Sequence, residues 1–303
     1  MSTVMRPAPS APAPAAPLSG VNRRRRFTDR LMRVLVFVAF LLAIIPLVWV
    51  LWTTISRGIG LVITPEWWTT SMRNVGPNDP GGGAAAAIQG TLIQAFIATV
   101  IAVPIGILTG VYLVEYHDKP LVRPISFMTD VLTGIPSIVS GLFIYALFIT
   151  TFGFNRMGVL VSLALTLLMI PVIVRGTEEM LKIVPNELRE ASYALGVPRY
   201  RTITKVVLPT AMSGIITTIM LGVARIMGET APLLILVGYT ASLNANPFAG
   251  EQAALPLMIN VERGNPLPAG QERAWAAALT LIILVMLLNV GARLISRYSG
   301  IKK

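Results

Sequence analysis

From Val34 to Ser56 the chain runs for 23 residues without a charged side chain, and that stretch removes most soluble folds from consideration. At about 1.5 Å of rise per residue it crosses the roughly 30 Å hydrocarbon core of a bilayer. Arg23–Arg26, Arg30 and Arg33 stand just before it, which predicts a start held on the cytoplasmic side. A cleaved signal peptide would have a shorter apolar region and a small-residue cleavage site, so the stretch is read as a first membrane span. The rest of the chain is of the same kind. Apolar residues make up 54% and charged residues 13% of the 303, with a mean hydropathy of +0.71, whereas a soluble domain averages about 25% charged.

The expected fold is an all-α integral membrane protein with six transmembrane helices, at about 34–56, 88–114, 127–152, 157–174, 215–239 and 274–292. Residues 1–22, rich in Ala, Pro and Ser, are expected to be a disordered cytoplasmic tail. Trp67 and Trp68 are either an interfacial anchor or packed loop residues. Gly134, Pro136 and Gly141 break the third span, where they either border a pathway or make a packing kink. With six spans, nineteen of the 25 Lys and Arg fall on the side of both termini and five on the other. Topology therefore accounts for the net charge of +11 without nucleic acid. The chain has no Cys and one His, His117, which leaves little room for a metal site or a catalytic triad, and the loop histidine is assigned no role.

Two charges interrupt the fifth span. Arg225 and Glu229 stand four apart in Ala-Arg-Ile-Met-Gly-Glu-Thr-Ala-Pro-Leu-Leu, 224–234, and a continuous helix over 215–239 would place both on one face. Counted from Ile215, Arg225 would lie about 15 Å in, near the bilayer centre. A charge there costs about 2.5 to 3.5 kcal/mol on insertion scales, so such residues face a bundle interior or a pathway. Either the pair is a static ion pair, or Glu229 holds Arg225 while a path is empty, or Glu229 binds an arginine of a second subunit. Arg175, at the cytoplasmic end of the fourth span, either meets an exiting solute or anchors at the interface.

The charged region 175–208 carries a spaced motif: Glu190-Ala191-Ser192, three residues, Gly196, nine residues, then Val206-Val207-Leu208-Pro209. Helix signals predict a short exposed helix over Glu187–Leu195 that Gly196 ends. The motif resembles the EAA loop of ABC importer permeases, departing at Ser192, where the family has Ala, and at Val206, where it has Ile. In that family the loop is a cytoplasmic coupling helix that docks in a groove of the ATPase. The resemblance implies that role for Glu190, Ala191, Ser192, Ala194, Gly196, Leu208 and Pro209. Physically, a transmitted motion needs a rigid short helix with small residues on its docking face, here Ala191, Ser192 and Ala194. The plain alternative is an amphipathic interfacial helix.

Gly-Glu-Thr-Ala-Pro-Leu-Leu at 228–234 with Arg225 before it, and Pro171-x3-Arg175-Gly-Thr-Glu-Glu-Met-Leu, are similar to the PstA-type permeases of the phosphate importer. The resemblance covers nearly the whole chain except its tail. It implies a transmembrane subunit forming half of a path for inorganic phosphate, with Arg225, Glu229, Thr230 and Arg175 as candidate path residues. A permanently protonated guanidinium with a planar fork suits the oxygens of such an anion. The implied partners are a sister permease subunit (PstC-type), an ATPase subunit dimer (PstB-type) and an extracytoplasmic phosphate-binding protein (PstS-type). The implied location is the bacterial cell membrane, multi-pass, with both termini cytoplasmic. No Gly-x4-Gly-Lys-Ser/Thr occurs, so no cofactor is expected in this chain and ATP and Mg belong to the partner ATPase. The chain is then a transport subunit and not an enzyme. The alternatives are a permease for another oxyanion, sulfate or molybdate, and an ion-coupled secondary anion carrier.

Overall fold

The computed structural model describes residues 23–299. The tail expected over 1–22, and Lys302 and Lys303, lie outside the described residues. Among those described, every regular element is a helix. The chain divides after Trp52 into two units. Helix α1 (Arg23–Val62) runs through that division, and it absorbs the arginine run because arginine is a good helix former and nothing between 23 and 33 breaks a helix. In the first unit apolar side chains such as Phe37, Leu42 and Trp49 are exposed, as a lipid-facing surface requires.

The second unit holds α2 (Pro65–Thr69), α3 (Ala85–Glu115), α4 (Val122–Gly134) and α5 (Ser137–Ile144), the last prolonged by a π-helical turn at Tyr145–Thr151. Then come α6 (Gly158–Ile183), α7 (Asn186–Ala194) and α8 (Arg199–Thr202), which continues through π-helical Ile203–Val207 into α9 (Leu208–Met227). The chain ends with α10 (Ala231–Leu236), α11 (Leu255–Arg263) and α12 (Pro268–Ser299). Five helical runs are long and apolar enough to cross a bilayer: α1, α3, α6, α8 through α9, and α12. Helices α4 and α5 make a sixth only as a pair, bent by 104°. The protein is a multi-pass membrane protein.

The centre of the second unit is the seam between α3 and α6. Many of the buried residues along α3 are small, among them Ala95, Ala98, Ala102, Gly106 and Gly110, which lets two backbones approach closely where apolar burial from water gives no drive. A Cβ on Gly106 would stand 2.6 Å from Ile173 Cβ, and one on Gly110 would stand 2.8 Å from Thr177 Cβ. Any larger residue there separates the pair. A second close approach explains the broken third span. Ile135, ahead of Pro136, is extended at φ −73 and ψ 127, as a residue before proline prefers. Beyond the bend, a Cβ on Gly141 would stand 3.0 Å from Pro232 Cα of α10, and the Ser140 hydroxyl donates to the Ala164 carbonyl at 2.8 Å. At Gly141 the break serves packing of α5 on α10.

The fifth span differs most from expectation. Its helix runs from Arg199 to Met227, not over 215–239. Pro232 explains the end: it has no N–H to give and its ring would meet the carbonyl four residues back, at Gly228. The fourth span is longer than expected, reaching Ile183 and so including Arg175.

Trp67 is fully buried and donates its indole N–H to Thr280 Oγ1 at 2.8 Å, so it is a packed residue and no interfacial anchor. The long connection over 240–273 also has an inner part that its polar sequence conceals. Gln252, Ala253 and Ala254 are buried. Gln94 Nε2 donates to Gln252 Oε1 at 3.1 Å, and the Leu255 N–H donates to Thr91 Oγ1 at 2.8 Å. The second bond satisfies a backbone donor of this segment, and the first ties its side chain to α3.

Candidate functional site

Helix α9 presents one exposed face that is polar except at Leu221. Thr210, Ser213, Thr217, Leu221 and Arg225 recur at spacings of three and four and are all exposed, which puts them on a single stripe. Beside it a groove of about 570 Å3 opens between α9 and α12, with Ser213, Thr217, Ala224, Asn289 and Arg293 among its lining. Threonine and serine hydroxyls within the stripe bond to carbonyls of their own helix, Thr217 Oγ1 to the Ser213 carbonyl at 2.9 Å and Thr210 Oγ1 to the Val206 carbonyl at 2.6 Å. The stripe is thus polar without needing water at each donor.

Arg225 ends this face. It lies in the last turn of α9, about 26 Å from Leu208 at 1.5 Å per residue, so the position near the centre of a continuous helix is corrected. The helix stops at Gly228, whose N–H bonds to the Arg225 carbonyl at 3.2 Å. Glu229 follows outside the helix, with its N–H on the Ile226 carbonyl at 3.2 Å, and Thr230 holds the N-cap position of α10 without a side-chain capping bond. The structure does bring Arg225, Glu229 and Thr230 together, at a break between two helices.

The Arg225–Glu229 pair is loose. Arg225 Nε stands 4.0 Å from Glu229 Oε1, and the side chains are 54% and 18% exposed. What favours a cation at this position is the negative end of the α9 dipole as much as the carboxylate. The guanidinium donors therefore remain open to an oxyanion.

Arg175 is in the opposite condition and apart from this cluster. Its guanidinium donates to Asp130 of α4, to Glu178 Oε2 at 2.5 Å, and to the carbonyl and hydroxyl of Ser126, both at 3.0 Å. Lys182 Nζ adds a bond to Glu178 Oε1 at 2.7 Å. With most of its donors engaged by α4 and its own helix, Arg175 staples α4 to α6. Polar partners in the first turns of α4, which an apolar span would not need, were the signal.

The motif at 190–209 forms a short helix, α7, within one residue of the expected bounds. Its end is a Schellman turn: the Gly196 N–H bonds to the Tyr193 carbonyl at 2.9 Å and the Val197 N–H to the Ser192 carbonyl at 3.2 Å. Gly196 takes φ +72, the left-handed conformation this turn requires. Glu187, Glu190, Ala191 and Ala194 are exposed and make a free face. Ser192 does not belong to it, because it is buried and its hydroxyl bonds to Thr202 Oγ1 at 2.8 Å. Leu208 and Pro209 are half-buried at the start of α9. Sequence reasoning missed Arg189 of α7, which pairs with Glu115, and Tyr116, whose ring carries the Arg199 guanidinium.

Residues 102–299 match the family described as binding-protein-dependent transport system inner membrane component. The phosphate transport system permease protein PstA of Mycobacterium leprae is 50% identical over 92% of each chain. PstA 1 of Mycobacterium tuberculosis is 52% identical over 90% of each, and PstA of Yersinia pestis 39% over 89% of this chain and 90% of that one. Among solved structures, the inward-facing MetNI methionine ABC transporter aligns with a TM-score of 0.54 at 23% identity, over 69% of this chain and 91% of that one. A bacterial alginate ABC transporter aligns at 0.59 and 13% identity, over 92% and 97%. At those identities the structures show the fold alone. The chain belongs to the family of binding-protein-dependent transport permeases and, within it, to the PstA-type phosphate permeases. It is a membrane subunit of an ABC transporter whose ATPase is a separate subunit.

Proposed function

We propose that this chain is the half-channel of an ATP-driven inorganic phosphate importer in which Arg225 receives the anion. The carrying observation is the state of that arginine: it ends an exposed polar face of α9, half-exposed and only 4.0 Å from its one carboxylate. An arginine held so loosely can turn its fork to phosphate oxygens, while Glu229 and Thr230 at the break supply a carboxylate to compete for it and a hydroxyl to assist. The stripe from Leu221 down to Thr210 then leads toward the coupling helix. In this reading a sister permease (PstC-type) closes the open face of α9, and an extracytoplasmic phosphate-binding protein (PstS-type) delivers the anion at the far end. An ATPase dimer (PstB-type), binding ATP and Mg2+, docks on the exposed face of α7. Both termini are cytoplasmic in a bacterial cell membrane, as the distribution of Lys and Arg supports.

The test is uptake of labelled phosphate into vesicles holding the complete complex and ATP. Arg225→Gln is expected to lower uptake on the order of a hundredfold at equal assembled amounts, since two charge-assisted bonds of about 1.5 kcal/mol each are lost. Uptake retained in that variant would reduce Arg225 and Glu229 to a structural pair. Full competition by sulfate or molybdate would move the assignment to another oxyanion. Uptake that persists without the ATPase but collapses with the proton gradient would make the protein a secondary carrier.

A further inference from the structure

A second arginine–glutamate pair sits at the other end of the helices, between residues 74 apart. Arg189 of α7 donates to Glu115 Oε1 from Nε at 3.1 Å and from Nη2 at 2.9 Å. Nη2 also reaches the Leu181 carbonyl at 3.0 Å, and Nη1 reaches the Val184 carbonyl at 2.7 Å and Asn186 Oδ1 at 3.3 Å. The two charged side chains are 13% and 4% exposed. Glu115 is the last residue of α3, and Leu181 and Val184 lie at the end of α6, so the arginine takes up the Val184 carbonyl and shares that of Leu181 with the Val184 N–H. One residue beyond Glu115, the Tyr116 ring carries the Arg199 guanidinium of α8 at 4.6 Å.

This placement has a mechanical meaning. Between α6 and α7 the chain is extended at Val184 and Pro185, φ −66 and ψ 122, then φ −58 and ψ 140, a joint that would flex if α7 were pushed. Arg189 binds back across that joint to carbonyls on its α6 side, which locks it. Helix α7 does not follow α3 directly in the chain; the Arg189–Glu115 ion pair ties the two together, with Arg199 on Tyr116 beside it. Helices α3 and α6 are themselves interlocked at Gly106 and Gly110, so whatever holds α7 to both ends holds it to one body.

We propose that Arg189 is a positioning residue through which α7 moves the α3–α6 pair as a unit, with the Glu115–Tyr116 end of α3 as the receiving point. The inference rests on the reading of α7 as the coupling helix. A stroke delivered to the exposed face of α7 passes through a buried, geometrically fixed guanidinium into the core of the subunit. The covalent route into α8 and α9 runs in parallel, tied by the Ser192–Thr202 bond.

The readout is phosphate moved per ATP hydrolysed by the complete complex in vesicles. Arg189→Met is expected to hydrolyse ATP while moving about tenfold less phosphate per ATP, within the range of a coupling between sites. Glu115→Gln keeps the shape and one acceptor and Arg189→Lys keeps the charge but not the fork, and each is expected to fall part of the way. A purely structural clamp would lower the amount of assembled complex and leave the ratio of the remainder unchanged. If Arg189→Met does not assemble, the two milder variants decide. A wild-type ratio in both Glu115→Gln and Arg189→Lys overturns the proposal. The underlying reading fails separately: Ala191→Trp, on the exposed face, should detach the ATPase, and an ATPase still bound and coupled would mean that α7 is not the coupling helix.

Discussion

Arg225 with Glu229 and Arg189 with Glu115 are the same two residue types in opposite states. The first pair is 4.0 Å apart with its arginine 54% exposed; the second is 2.9 Å apart and nearly buried on both sides. The difference follows from where the chain puts each arginine. Arg225 stands half-exposed in the last turn of a helix whose end is broken, so nothing beyond one carboxylate and a dipole directs it. Arg189 stands where two other helices end, and the carboxylate of one and carbonyls of the other direct it from several sides. An under-bonded arginine is free to exchange partners, and a saturated one holds its position.

The largest effects should come from the saturated pairs. Glu115→Leu leaves a buried guanidinium without its counter-charge and is expected to cost about 3 to 5 kcal/mol, measured as loss of folded subunit in denaturant titrations in detergent. A cost below about 1 kcal/mol, in the range of exposed pairs, would erase the contrast with Arg225. The outer pair sharpens it. Arg273, 1% exposed, bonds Glu262 Oε2 at 3.0 Å and the carbonyls of Asp79 and Pro77 at 2.8 and 3.1 Å. Arg273→Met should destabilise by about 3 kcal/mol yet leave phosphate per ATP unchanged in what remains assembled, because that pair ties α12 to α11 and to the loop at 77–79 and makes no bond to α7.

Tyr239 monitors this outer region: burial pushes its hydroxyl up to about 12, Glu262 adding to the rise and Arg273 opposing it. The fold therefore favours the neutral phenol, and its contribution is present below pH 10 and lost as pH rises from 10 toward 12. Absorbance titration should place Tyr239 higher still in Arg273→Met.

Much of this was legible in the sequence. Long uncharged runs, the Arg23–Arg26 block and the spacing from Glu190 through Gly196 to Pro209 each mark a local requirement, of length, charge side or backbone turn, that one stretch of chain must meet alone. What stayed hidden depends on contacts between distant stretches. Glu115 reads as the first charge of a loop, since nothing near it in sequence shows that Arg189 will cover it. Ser192 reads as a small docking residue because the Thr202 that turns it inward lies beyond the Schellman turn. The end of α9 was legible in principle from Pro232, but a run as apolar as 215–239 invites a continuous span, and the charges alone do not say where it stops.

Gly196→Ala should come next in size. The left-handed φ of +72 costs a residue with a Cβ about 1 to 2 kcal/mol, and amide exchange should show the end of α7 fraying while the Arg189 contacts at its start persist. Helix α7 would then deliver its stroke through Arg189 alone, so phosphate per ATP should fall less than in Arg189→Met.

The smallest effect on stability is expected at the loose pair. Glu229→Gln removes the charge from a contact at 4.0 Å that water already reaches on the arginine side, so folding should change by less than about 1 kcal/mol. Its consequence should appear in transport. Without a carboxylate to compete, phosphate would meet an arginine with no rival, and uptake should shift toward tighter binding and slower release, seen as a lower KM together with a lower maximal rate. If Glu229→Gln instead destabilises as much as Glu115→Leu, the two pairs are alike, and Arg225 belongs to the scaffold and not to the path.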